Sequence, residues 1–126
     1  DMLDAARTFL AQKDTKNILR TIRSCKRTYQ EMLQFIFRCK KGHAQAYQIT
    51  IANLYNPFPQ FKEAVFGVTM FNRMLNSLSD KTVCIADVYQ KFIGNELQYI
   101  SEDFVHPNDI GYKAMAEAMA ACGMKI

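Results

Sequence analysis

Asp103 and His106 stand three residues apart in the segment SEDFVHPNDIGYKAMAEAM, immediately ahead of Pro107 and Asn108. An imidazole can take a proton from a hydroxyl, and a carboxylate can fix the imidazole's tautomer and stabilise the cation it becomes. Carrying both groups on one short turn sets their mutual geometry locally, without help from a distant loop. Pro107 restricts the backbone of His106 to extended angles, which helps aim the ring away from the next helix. Taken alone, the pair is a weak signal, because an aspartate at this spacing can simply cap a turn. Its weight depends on the surroundings.

Acid–base chemistry of this kind serves a nucleophile. The serines of the chain are Ser24, Ser77, Ser79 and Ser101. They fall on predicted helices, at helix ends or in a loop, outside any strand-turn-helix elbow that would present a hydroxyl. From spacing alone no serine stands out as a partner for the pair, and Asp103 as a plain turn cap stays an open alternative.

The elements that must hold the pair can be read from hydrophobic spacing. From Asn17 to Lys40 the residues Ile18, Ile22, Cys25, Tyr29, Met32, Leu33 and Ile36 recur at helical intervals, with Arg20, Arg23, Lys26, Arg27 and Glu31 between them. Lys40, Lys41 and Gly42 then mark the end of the helix, with His43 in a solvated turn. Ala46 to Leu54 is short, β-branched and apolar, and predicts a strand buried on both faces. The run Tyr55-Asn56-Pro57-Phe58-Pro59 ends it. Phe61 to Leu78 returns to helical spacing, and Thr82 to Asp87 predicts a second strand. Val88 to Phe92 predicts a helical turn, whereas Leu97 to Ile100 is ambiguous. Asn108 to Cys122 predicts a helix, with Asn108 as N-cap and Gly123 as C-cap. Strands alternating with amphipathic helices predict an α/β architecture with a parallel sheet, although two strands make a small one.

Composition narrows the classes further. The chain has 126 residues, 49% of them hydrophobic, with few Gly or Pro, which suits a single globular domain rather than a disordered or fibrous chain. No apolar run approaches the ~20 residues of a membrane-spanning helix. Cys25, Cys39, Cys84 and Cys122 form no CxxC and adjoin no His pair, so neither zinc nor a disulfide framework is predicted. The expectation is four free thiols behaving as small hydrophobes, which points to a reducing compartment. Nine basic residues and two acidic ones lie between Lys13 and Lys41. A basic helical face can meet nucleic acid, but the segment has no aromatic interleaving and no recognition signature, so a solvated face is expected and no nucleic-acid partner.

The segment from Ser101 onward resembles the last motif block of the SGNH (GDSL-type) serine hydrolases, in which Asp and His precede Pro and a Gly-Tyr pair opens the final helix. Asp103, His106, Pro107, Asn108, Gly111 and Tyr112 stand in that arrangement. Upstream, Tyr55-Asn56-Pro57-Phe58 and Ala86-Asp87-Val88 resemble a bacterial lipase/acylhydrolase branch of the family. The opening Asp1-Met2-Leu3 resembles the residues after the asparagine of its Gly-x-Asn-Asp block.

This resemblance implies the C-terminal half of a flavodoxin-like, three-layer α/β/α fold, with residues 1–126 as one partial domain. It implies ester or thioester hydrolysis by a Ser-His-Asp triad without metal or organic cofactor, His106 being the base and Asp103 its orienting partner. Asn56, at a strand exit, is either a substrate-cleft residue or a turn residue before Pro57. Nothing assigns chemistry to Asp87. The family's Gly-Asp-Ser block, which provides the nucleophile, is expected upstream of Asp1, so the chain alone should be inert. The alternative is a non-catalytic binding or interaction module on the same scaffold. The third strand of such a sheet would also lie upstream, leaving an edge along Ala46 to Leu54 for the N-terminal half or a second copy. Location stays open, because the family suggests the cell surface or secretion and the four thiols suggest the cytoplasm.

Overall fold

The computed structural model describes residues 15–42 and 46–123. The chain divides into two compact units, Asp1–Tyr47 and Gln48–Ile126. His43 and the Asp1-Met2-Leu3 segment lie outside the described residues.

In the first unit, helix α1 spans Thr15–Lys40. Ile18, Ile22 and Leu33 from its apolar stripe are buried. Arg20, Arg23, Arg27 and Glu31 are exposed, as the spacing predicts, whereas Lys26 is half-buried and Met32 of the stripe is exposed. Arg27 and Glu31 approach to 3.9 Å in an exposed i,i+4 pair, a contact of little energetic weight in water. The helix stops where Gly42 takes φ +92°, a left-handed conformation that glycine adopts without steric cost.

The second unit contains strand β1 (Ile49–Ala52), helix α2 (Lys62–Asn76), strand β2 (Val83–Ala86), two short helices α3 (Val88–Phe92) and α4 (Glu96–Tyr99), and helix α5 (Asp109–Ala121). The strands pair parallel, Ile49 opposite Val83 through Ala52 opposite Ala86. Parallel partners need a long crossover, and α2 supplies it. The ambiguous Leu97 to Ile100 segment falls mostly in α4.

Both strands are shorter than the apolar runs that predict them. β1 ends at Ala52 because side chains take over the backbone pairing beyond it. Asn53 N–H still donates to the Ala86 carbonyl at 3.0 Å. Leu54, however, exchanges two bonds with the Asn72 side chain: Leu54 N–H to Oδ1 at 2.9 Å and Nδ2–H to the Leu54 carbonyl at 2.8 Å. Nor is β1 buried on both faces. All four of its residues are half-buried, and among the described residues β2 is its only hydrogen-bonded strand.

The core beneath the strand ends joins Ala86, Val88, Phe92, Ala114, Ala118 and Cys122. Phe92 is stacked on Tyr55, with ring centroids 4.4 Å apart, and meets Tyr99 edge-on at 5.3 Å. Such aromatic pairs contribute about 0.5–1.5 kcal/mol beyond the area they bury.

The expectation of four free thiols is wrong. Cys84 on β2 and Cys122 at the end of α5 form a disulfide. α5 lies against β2, and the two Cα atoms are 5.9 Å apart, within the span a disulfide bridges. Cys25 and Cys39 are free. With two of the four sulfurs bonded, cysteine usage no longer points to a reducing compartment.

Candidate active site

α5 begins with a strong local signal. Asn108 is its N-cap, and its Oδ1 accepts from the backbone N–H groups of Ile110 and Gly111, both at 3.0 Å. The Asn108 amide reaches the other way, donating to the Gln98 carbonyl at 2.8 Å. Its backbone N–H meets the Tyr99 carbonyl at the same distance. One residue thus ties the helix start to the end of α4. At Gly111 a Cβ would run into the Tyr99 carbonyl oxygen and lie 2.9 Å from Pro107 Cβ, so only glycine lets α5 approach α4 this closely.

Between α4 and α5 the chain makes a tight excursion. Ile100 and Pro107 form an antiparallel bridge, Ser101 N–H donates to the His106 carbonyl at 2.8 Å, and Phe104 N–H to the Ser101 carbonyl at 3.0 Å. Phe104 sits at the tip with φ +60°, the only non-glycine residue with positive φ among those described. Such a conformation costs an L-residue about 1–2 kcal/mol. The excursion is anchored from the strand side by Tyr55, whose hydroxyl donates to the Val105 carbonyl at 2.8 Å. Burial raises the Tyr55 pKa, and Tyr112 and Asp103 add to the effect, so the phenol keeps the proton it donates.

Within this frame the structure brings the two predicted site residues together. Asp103 Oδ2 lies 2.6 Å from His106 Nδ1. Its Oδ1 accepts from the N–H groups of Val105 and His106, both at 2.9 Å. The Val105 bond, the His106 ring and the His106 N–H together hold the Asp103 pKa down to about 2. A carboxylate ionised at neutral pH only accepts hydrogen bonds, so Nδ1 carries a ring proton and Nε2 is the nitrogen Asp103 leaves unbonded. The His106 side chain is 71% exposed. The arrangement can take a proton at Nε2 and stabilise the resulting imidazolium through Asp103.

The other candidates are occupied by structure. Asn56 is 5% exposed, and its Oδ1 accepts from Phe58 N–H at 3.0 Å, forming the side-chain turn ahead of Pro57. It also faces a small recess with Tyr89 and Ile93. Asp87 caps α3 by accepting from Gln90 N–H at 3.1 Å and bonds Asn53 Nδ2 at 2.9 Å. The Ser77 and Ser79 hydroxyls donate to the carbonyls of Met74 and Val83. Among the described residues, Asp103 alone bonds the His106 ring, and no His, Cys, Asp or Glu cluster could hold a metal ion. Sequence reasoning misses Tyr55, Asn53 and Asn72, whose partners lie 50, 34 to 36 and 18 residues away. An aromatic or amide residue just past a strand is the faint signal available for the first two.

No family model matches the chain. It is 36% identical over 124 residues to the spore germination lipase LipC of Bacillus licheniformis, a match covering 98% of this chain and 58% of that protein. The crystal structure of the lipase Lip_vut3 from a goat rumen metagenome aligns with a TM-score of 0.91 at 35% identity, over 98% of this chain and 59% of that one. Both relatives are named lipases. The chain therefore spans somewhat under two thirds of the length of each, and its mixed α/β fold with a small parallel sheet is the one found in the corresponding part of a lipase structure.

Proposed function

We propose that this chain provides the base and the orienting carboxylate of an SGNH-type ester hydrolase, as the C-terminal portion of its flavodoxin-like α/β/α domain. The observation that carries the reading is the Asp103–His106 pair, with Nδ1 2.6 Å from the carboxylate and a His106 side chain that is 71% exposed. Similarity to two proteins named as lipases over nearly the whole chain supports it.

In this mechanism the nucleophilic serine and the oxyanion donors come from outside residues 1–126. The serine hydroxyl transfers its proton to His106 Nε2 as its oxygen attacks the ester carbonyl. Asp103 holds the ring in the Nδ1–H tautomer and stabilises the imidazolium. The imidazolium then gives that proton to the departing alkoxide, leaving an acyl-serine. Water, deprotonated by the same nitrogen, releases the acid and regenerates the serine. These steps call for no metal or organic cofactor. The edge of β1 away from β2 would pair with the rest of the protein or with a second copy.

His106→Ala in the complete protein tests the assignment. Hydrolysis of p-nitrophenyl butyrate should fall by several orders of magnitude, by analogy with triads that lose their base. Wild-type turnover in that variant would remove His106 from the mechanism.

A further inference from the structure

Among the described residues, the buried polar side chains are those of Asn53, Asn56 and Asn72, and all of them hold one stretch of backbone, the exit of β1. Asn53 Oδ1 accepts from Tyr89 N–H at 2.8 Å, and its Nδ2 donates to Asp87 at 2.9 Å. Asn56 Oδ1 accepts from Phe58 N–H at 3.0 Å. Asn72 reaches across from α2, accepting from Leu54 N–H at 2.9 Å and donating to the Leu54 carbonyl at 2.8 Å. Those are the two bonds a facing antiparallel strand residue would make, so one side chain fixes the rotation of the Leu54 backbone. A buried amide left without partners costs about 1–3 kcal/mol, and Asn72 keeps its partners only while the exit holds this conformation.

Tyr55 follows directly. Its ring lies on buried Phe92, and its hydroxyl donates to the Val105 carbonyl at 2.8 Å. The hydroxyl is the far end of a rigid ring, so a small rotation at Leu54 displaces it more than the atoms nearer the backbone. A hydrogen bond weakens steeply as it leaves alignment, and His106 is the residue after Val105. Asp103 orients the imidazole within the turn, whereas the Tyr55 bond sets where the turn stands. We propose that Asn72, whose side chain bonds only Leu54 among the described residues, is a positioning residue for the base. It acts on His106 through Leu54 and Tyr55. The proposal rests on the hydrolase reading above and adds to it a residue on a different helix from the pair's own turn.

The test combines Asn72→Ala and Asn72→Ser with Tyr55→Phe, singly and in double variants of the complete protein. Asn72→Ser is the milder change, because it makes room for a water that can serve the Leu54 backbone without fixing it, and far-UV circular dichroism confirms folding. The Val105 carbonyl-carbon resonance reads the Tyr55 bond directly. It should move in the Asn72 variants in the direction it moves in Tyr55→Phe, and no further in the double variants. With p-nitrophenyl butyrate, kcat should fall about tenfold with KM little changed, short of the ~10²-fold that a 1 Å misplacement can cost. In the Tyr55→Phe background the same substitutions should change kcat by less than about twofold, whereas a merely structural role predicts additive losses. An unmoved Val105 resonance, a wild-type kcat, or an Asn72 effect of full size in the Tyr55→Phe background overturns the proposal. Should His106→Ala leave hydrolysis intact, kcat no longer reports on His106 and the hydrolase reading fails. The Val105 resonance alone then decides whether Asn72 sets the turn.

Discussion

The Tyr55 hydroxyl and the Val105 carbonyl meet at 2.8 Å across 50 residues of sequence. This bond joins the loop leaving β1 to the turn that carries Asp103 and His106. It acts on the backbone between the two, so it fixes where the imidazole stands without touching it. Tyr55→Phe keeps the stacking on Phe92 and removes only the donor. The expected loss is about 1 kcal/mol of stability, read by urea denaturation. In the complete protein kcat should fall with KM little changed, as expected of a positioning residue. Unchanged kcat in the variant would show that the anchor is dispensable.

Asp103 should titrate at about 2 rather than at its ordinary 3.8, which carboxyl-carbon NMR can follow directly. A carboxylate whose folded pKa is depressed stabilises the fold above the unfolded value, and that contribution is lost as pH falls from about 4 through about 2. Asp103→Asn should flatten this part of the acid-denaturation profile. In the complete protein the same variant should leave slightly more activity than His106→Ala, because the imidazole survives in the wrong tautomer.

The Cys84–Cys122 bond closes a span of 38 residues. On the chain-entropy relation such a link is worth about 4 kcal/mol, and a Cys84→Ala/Cys122→Ala double variant should lose stability on that scale. Thiol titration of the unreduced, denatured protein should find two groups, Cys25 and Cys39, and reduction should reveal the other pair. Four reactive thiols before reduction would contradict the bond.

Gly111→Ala should disturb the site from behind. Its methyl would collide with the Tyr99 carbonyl and crowd Pro107, and such overpacking costs about 1–3 kcal/mol. Because Pro107 adjoins His106, the His106 backbone amide resonance should move with the loss of stability. An unperturbed amide would mean that α5 yields instead of the turn.

How far the sequence discloses this arrangement depends on the range of the interaction concerned. The start of α5 is legible because Asn108 acts on neighbours within three residues, and its end to within one residue, the C-cap being Cys122 with Gly123 following at φ +86°. The Asp103–His106 contact is legible for the same reason, its partners being three apart. The apolar pattern overstates β1, because Tyr47 and Leu54 extend it while Asn72, far along the chain, claims the Leu54 backbone. The disulfide leaves no trace in spacing, since Cys84 and Cys122 come together only once α5 lies against β2. The left-handed Phe104 is equally hidden, because its residue type argues for the opposite conformation.

The covalent link has a topological consequence for the site. The backbone from Cys84 to Cys122, closed by the sulfur bridge, is a ring, and Asp103, Phe104 and His106 all lie on it. A single cut in the exposed tip at Phe104 would open that ring without releasing either piece. Limited digestion with a protease specific for aromatic residues should therefore leave one species on a non-reducing gel and two after reduction. The nicked species would keep His106 covalently joined, through α5 and the sulfur bridge, to the strand that carries Cys84.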